Sequence, residues 1–243
     1  MPDPSIPIIV TRAEPGARET VQRLRIDGRT VIASPVLQLV ERPDTPLPPP
    51  DGLAGLIFTS ANGVRTYAAR QSDRELTAWC VGPATAMAAR QAGFSRVRES
   101  AGNAKDLAHF IARHETPATA PLLHVANAAA AGQLKRRLTD LGFTVAFAPL
   151  YEMRPATALS MDVTTALQRT PSGIILIHSA KGAAAFAQLV NGMTLEGWHA
   201  VAISQPASAP LSALGLADIH IAPAPDEQGL FDTLDSLLAT LSA

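Results

Sequence analysis

The chain has 243 residues, 47% of them hydrophobic and 17% charged, with a formal net charge of -1 and a mean hydropathy of +0.13. Low charge beside ordinary apolar content excludes global disorder, and the length admits one large domain or two modest ones. Twenty basic against 21 acidic residues with 5% aromatics give no electrostatic footprint for nucleic acid or an anionic membrane.

At the amino end, Met1 to Ser5 carries no basic leader and the apolar run at 8–10 is too short for a signal-peptide core, so a cytoplasmic protein is expected. No apolar run approaches the ~18 residues of a membrane span. Short apolar runs at 8–11, 30–33, 56–59, 79–81, 122–125, 145–148, 174–177, 200–203 and 218–221 predict strands. Between them, amphipathic stretches at 16–26, 62–70, 84–92, 105–113, 130–141, 183–190, 206–214 and 228–240 predict helices. Strands that are apolar almost throughout, alternating with helices, predict α/β units around parallel sheets covered on both faces. Gly28, Gly93, Gly142 and Gly215 each follow a helix where a left-handed residue is wanted. Residues 42–52 hold five prolines and read as loop or linker. Cys80, the single cysteine, reads as a small buried hydrophobe.

The chain repeats itself. Leu24, Gly28, Val31, Pro35 and Val36 recur as Leu138, Gly142, Val145, Pro149 and Leu150, a constant offset of 114. Gly55, Ser60, Ala61 and Gly63 recur as Gly173, Ser179, Ala180 and Gly182 with one residue added, and Pro83, Ala84, Thr85 and Ala86 as Pro206, Ala207, Ser208 and Ala209. Three echoes in one order mean two similar α/β halves. Pro35 and Pro149 open half-polar extended stretches, 36–40 and 150–154, that can pair as a two-stranded β connector. A connector crossed twice makes one domain discontinuous. The expected architecture is therefore a first three-layer, Rossmann- or flavodoxin-like domain of residues 1–34 and 155–243, connector strands at 35–40 and 148–154, and a second such domain at 41–147.

Laid out in this way, the chain resembles the uroporphyrinogen-III synthase family along nearly its whole length. The resemblance rests on Val10 to Arg12 with Glu14, Pro15 and Gly16; Ala33 to Pro35; Ile57 to Val64; Val81 to Ala86; Tyr151 with Glu152; and Ser204 to Ser208 before Gly215. It implies two α/β domains joined by a β-ladder, with the first discontinuous. It also implies a lyase that needs no cofactor and no metal. Linear hydroxymethylbilane would lose its hydroxyl, the terminal pyrrole ring would invert through a spiro intermediate, and uroporphyrinogen III would form. The implied partner is a small-molecule linear tetrapyrrole, passed on by the enzyme that makes it to a monomer; nucleic acid and membrane are not expected.

Such a substrate carries acetate and propionate arms, which suit helix N-termini at the carboxyl ends of parallel strands. Ser60, with Ala61 and Asn62, stands at one strand-to-helix turn; Ser179, with Ala180 and Lys181, stands at its repeat. Each can cap its helix, hold a carboxylate, or do both. The Thr85 and Ser208 hydroxyls can cap the next helices or bond a substrate arm. Thr11 and Arg12 end the first strand, where the guanidinium can clamp a carboxylate or form a surface ion pair. The resemblance assigns Tyr151 to the chemistry: the family's tyrosine at this place faces the cleft, and a phenol can hydrogen-bond the departing hydroxyl. Folding the substrate so that the substituted carbon meets the cation is positioning catalysis, which needs spread contacts rather than a triad. The six histidines, scattered through the chain, read as satisfied or exposed rather than metal-binding. Two places depart from the family: the uncharged stretch from Ala126 to Ala131, where Asn127 can stand in for an arginine-glycine element, and His178, where a small hydroxyl residue is commoner. The competing reading is a non-catalytic two-domain protein that binds tetrapyrroles or small anions.

Overall fold

The computed structural model describes residues 6–100, 102–130 and 132–242. The leader expectation at Met1 to Ser5, and Ala131 of the uncharged stretch, lie outside the described residues. In chain order the elements begin β1 (Ile8–Val10), α1 (Gly16–Ile26), β2 (Val31–Ala33), β3 (Leu37–Glu41), β4 (Gly55–Phe58), α2 (Ala61–Ala68), β5 (Ala78–Cys80) and α3 (Pro83–Gln91). They continue with β6 (Val97–Glu99), α4 (Ala104–His114), β7 (Leu122–Asn127), α5 (Gln133–Asp140), β8 (Val145–Pro155) and α6 (Met161–Arg169). Last come β9 (Gly173–Ile177), α7 (Ala180–Leu189), β10 (Trp198–Ala202), α8 (Gln205–Ser208), β11 (Asp218–Ile221) and α9 (Glu227–Leu241). The chain divides into two compact units, Met1–Leu39 with Arg154–Ala243 and Val40–Met153.

In the first unit the sheet runs β11-β10-β9-β1-β2, with every described pairing parallel. All three residues of β1 and all five of β9 are buried, because branched apolar side chains leave both faces of these strands covered. Ile8, Val10, Ile174, Leu176 and Val201 meet Leu24 of α1 and Leu230, Leu234 and Leu237 of α9. Ile9 and Ile175, one residue out of phase, point to the opposite face, where α7 and α8 contact β9 and β10. Numbered within this unit the strand order is 2-1-3-4-5, that of flavodoxin-like sheets.

The second unit's sheet runs β3-β8-β7-β4-β5-β6. Leu56, Phe58, Cys80, Leu123 and Val125 pack with α2 and α3, while Ile57, Trp79 and Val145 pack with α4 and α5. Counted from β7 and without β3, this sheet too reads 2-1-3-4-5. The two units thus share one strand order, and the chain enters the second at a different strand of it.

Several details correct the sequence expectations. β8 does not break at Pro149 but runs eleven residues, with a register shift opposite Ala126 and Asn127 that absorbs the irregularity. The stretches 36–40 and 150–154 pair with each other inside the second sheet: Arg42 N–H donates to the Leu150 carbonyl (2.8 Å) and Ala156 N–H to that of Val36 (2.9 Å), the antiparallel pattern. The 42–52 loop contains one 3-10 turn, Pro50–Gly52, and Arg70 holds it through the carbonyls of Arg42 and Thr45. α5 starts at Gln133 rather than 130, since Gly132 at φ 102° is outside helical space. The predicted helix at 206–214 is four α residues followed by a 3-10 turn, Ala209–Leu211. β6 and α6 were not expected.

Candidate active site

In each sheet the chain's path turns outward in opposite directions from one pair of neighbouring strands, and ligands of such folds collect at the carboxyl ends of that pair. The pair is β1 and β9 in the first unit, and β7 and β4 in the second. Thr11, Arg12, His178 and Ser179 follow the first pair; Asn127, Thr59 and Ser60 end or follow the second.

Ser60 leaves β4 with φ -161° and ψ 155°, and its Oγ accepts Gly63 N–H at 3.2 Å, capping α2. Such a cap contributes about 1 kcal/mol. The same oxygen lies 2.6 Å from the Tyr151 hydroxyl. Tyr151 is 4% exposed and pairs with Asn127 at the irregularity of β7, so its ring reaches past the end of β7 toward β4. Burial raises the phenol above its ordinary value, while hydrogen bonds to Ser60 and to the Asn127 backbone pull it down. It is neutral at physiological pH. Beside it, Thr59 Oγ1 is 3.3 Å from Nε2 of His124, which burial lowers to about 4 and keeps uncharged. Asn127 Oδ1 accepts Ala129 N–H at 2.9 Å and folds its own loop into a turn.

The first unit repeats the cap without the phenol. Ser179 has φ -167° and ψ 154°, and its Oγ accepts Gly182 N–H at 3.0 Å. Counted by the offset of the repeat, the residue that corresponds to Tyr151 in sequence is Leu37, which has no hydroxyl. Thr11 Oγ1 donates to the Leu176 carbonyl at 2.7 Å, joining β1 to β9. Arg12 Nη1 is 3.2 Å from Glu227 Oε1, which also accepts from Thr20 at 2.7 Å. His178 is lowered to about 4 chiefly by burial and further by Arg12, with Glu227 opposing, and both its ring nitrogens are enclosed without a hydrogen-bond partner.

The structure thus brings Ser60, Ala61, Asn62 and Tyr151 to one rim, and Thr11, Arg12, Ser179, Ala180 and Lys181 to another. Capping by Thr85 and Ser208 does not hold. Thr85 is the third residue of α3, whose N-cap Gly82 has no side chain to contribute; Ser208 ends α8 and donates to the Gln205 carbonyl at 2.9 Å. Both are 5% exposed. Glu227 and Thr20 were not singled out, and the Thr59–His124 contact was not expected, because these partners are remote in sequence. Among the described residues no group of three His, Cys, Asp or Glu side chains could hold a metal ion, and no helix is long and apolar enough to cross a membrane.

The family profile described as uroporphyrinogen-III synthase HemD matches residues 18–232. The chain belongs to the uroporphyrinogen-III synthase family. Membership puts it in tetrapyrrole biosynthesis, with a tetrapyrrole substrate and a cyclising reaction. A comparison with curated protein sequences gives no match. Among solved structures, uroporphyrinogen-III synthetase from Helicobacter pylori is 18% identical over 96% of this chain and 99% of its own, with a TM-score of 0.67. A mutant uroporphyrinogen III synthase from the extremely thermophilic bacterium Thermus thermophilus is 14% identical over 98% and 99%, with a TM-score of 0.52. Both are similarities of fold, and the fold agrees with the two mainly parallel α/β sheets expected from the sequence.

Proposed function

We propose that the chain is a hydro-lyase that closes hydroxymethylbilane to uroporphyrinogen III, with Tyr151 assisting departure of the hydroxyl. The carrying observation is a phenol that is almost wholly buried, neutral, and anchored by Ser60 at the carboxyl ends of β4 and β7. Its proton moves toward the leaving oxygen, the C–O bond breaks with its electron pair on oxygen, and water departs. The pyrrole left behind is a cation stabilised by its nitrogen lone pair. Ring closure at the substituted carbon gives the spiro intermediate. After rearrangement the terminal ring is inverted, and the proton shed on rearomatisation returns to the phenolate. A weak acid contributes modestly to such a step, so holding the substrate in the closing geometry carries most of the rate.

For the grip we assign backbone N–H groups at the start of α2, at Ala61 and Asn62 behind the Ser60 cap, and Thr85 at the start of α3, where Gly82 leaves the first N–H groups without a side-chain cap. In the first unit the corresponding set is Thr11, Arg12, Ser179, Ala180 and Lys181; Ser208, whose hydroxyl is already bonded, serves through packing. Acid, anchor and backbone contacts come from one chain, in keeping with a monomer. One buried cysteine and near-neutral charge suit a reducing cytoplasm. Because the linear substrate closes unaided to the wrong isomer, direct transfer from the enzyme that makes it fits the reaction.

The test is the lifetime of freshly made hydroxymethylbilane. Catalytic amounts of the chain should shorten it; a binding protein without activity, added in excess, would lengthen it by sequestering the linear form, and that result would overturn the proposal.

A further inference from the structure

We infer that Ser60 is a positioning residue for the acid: it donates its hydroxyl proton to the Tyr151 oxygen and thereby turns the phenolic proton toward the substrate. The inference rests on the reading of Tyr151 just given and adds a division of labour inside the pair.

One oxygen makes both contacts. Ser60 Oγ accepts Gly63 N–H at 3.2 Å and lies 2.6 Å from the Tyr151 oxygen. The cap occupies a lone pair and fixes the rotamer, which leaves Ser60 one hydrogen and one further lone pair. Two arrangements remain for the pair. If the phenol donates to Ser60, its proton is sequestered inside the protein and cannot reach a leaving group. If Ser60 donates, the phenolic proton is free to point outward, and the oxygen that must become negative already receives a hydrogen bond. Only the second arrangement makes Tyr151 an acid. Hydrogen bonds to an ionised oxygen are stronger than those to a neutral one, so the Ser60 bond strengthens as the proton leaves. Burial of the phenol magnifies the effect by lowering the surrounding dielectric.

The repeat separates the two uses of this serine. Ser179 makes the same cap with nearly the same backbone angles, and the residue that corresponds to Tyr151 in sequence there is Leu37, which has no hydroxyl. Capping is thus common to both halves, while the hydrogen bond to a phenol belongs to the second alone.

The experiment is a double-mutant cycle of steady-state kinetics on Ser60→Ala, Tyr151→Phe and the double variant, with Ser60→Thr as rescue. We expect Ser60→Ala to lower kcat about tenfold with KM little changed, less than the roughly 100- to 1000-fold that loss of a full oxyanion-hole donor costs, because the bond acts through a weak acid whose own contribution is modest. In the Tyr151→Phe background the same change should alter kcat less than twofold, and Ser60→Thr, which keeps hydroxyl and cap, should restore most of the loss. Equal losses in both backgrounds would overturn the inference, since a role confined to capping acts regardless of the phenol. Should Tyr151→Phe alone retain full kcat, the acid assignment itself fails. An independent readout is the ring-carbon resonance of labelled tyrosine. The chain has two tyrosines, Tyr67 and Tyr151. The signal that Tyr151→Phe removes should move in Ser60→Ala, and an unmoved signal would contradict the bond.

Discussion

Gly63 lies against the Val125 carbonyl so closely that a β-carbon built on it falls 2.8 Å from the oxygen. The first turn of α2 can therefore rest on the end of β7 only because this residue has no side chain. The same contact sets where Ser60, three residues earlier, meets Tyr151.

Gly63→Ala should consequently destabilise the protein by about 1–3 kcal/mol, as overpacking does, although the same change in an open helix would stabilise it by about 1 kcal/mol. Gly182, its repeat partner, meets only the Ser179 hydroxyl at 3.0 Å and a Val36 methyl at 3.9 Å. Gly182→Ala should cost clearly less. Urea unfolding of the two variants checks this, and equal losses would contradict the packing account.

His178 gives stability a pH dependence with a definite sign. In the unfolded chain it takes up a proton near 6.5, whereas in the folded chain burial delays this to about 4. Above pH 6.5 both states are neutral and nothing is gained or lost. As pH falls below 6.5 the unfolded state gains protons first, at about 1.4 kcal/mol per pH unit. His178→Ser removes this term, so its stability relative to the natural chain should improve by about 2 kcal/mol between pH 7 and pH 5. Guanidinium unfolding across that range would show it; parallel stability curves would refute it.

Cys80 is fully buried, and burial pushes its thiol up to about 12. In the native protein it should react with an aromatic disulfide reagent only through opening of the second unit, at a rate that rises with denaturant alongside unfolding. Rapid reaction of one thiol in the absence of denaturant would contradict the packing of β5 against α2 and α3.

Much of the fold was legible because its signals are local. α1 occupies the predicted 16–26, and the glycines expected to be left-handed have φ of 75° at Gly28, 91° at Gly93, 89° at Gly142 and 65° at Gly215. The strand runs were apolar on both faces, and the repeat exposed the duplicated sheet. Elements with weaker local patterns escaped: β6 is three residues with Arg98 at its centre, and α6 carries Thr164 and Thr165 within a short helix. At the site, the serine caps were readable because Ser60 and Gly63, or Ser179 and Gly182, are three residues apart. The Ser60 and Tyr151 contact joins residues 91 apart, and Arg12 meets Glu227 across 215. No periodicity encodes such pairs, since they arise only when the sheet brings strand ends together.

The most direct measurement is the isomer composition of the uroporphyrinogen formed when the purified chain meets freshly prepared hydroxymethylbilane, separated by chromatography against a reaction without protein. The account predicts predominantly type III product with the chain present and type I without it. Type I product in both would contradict it.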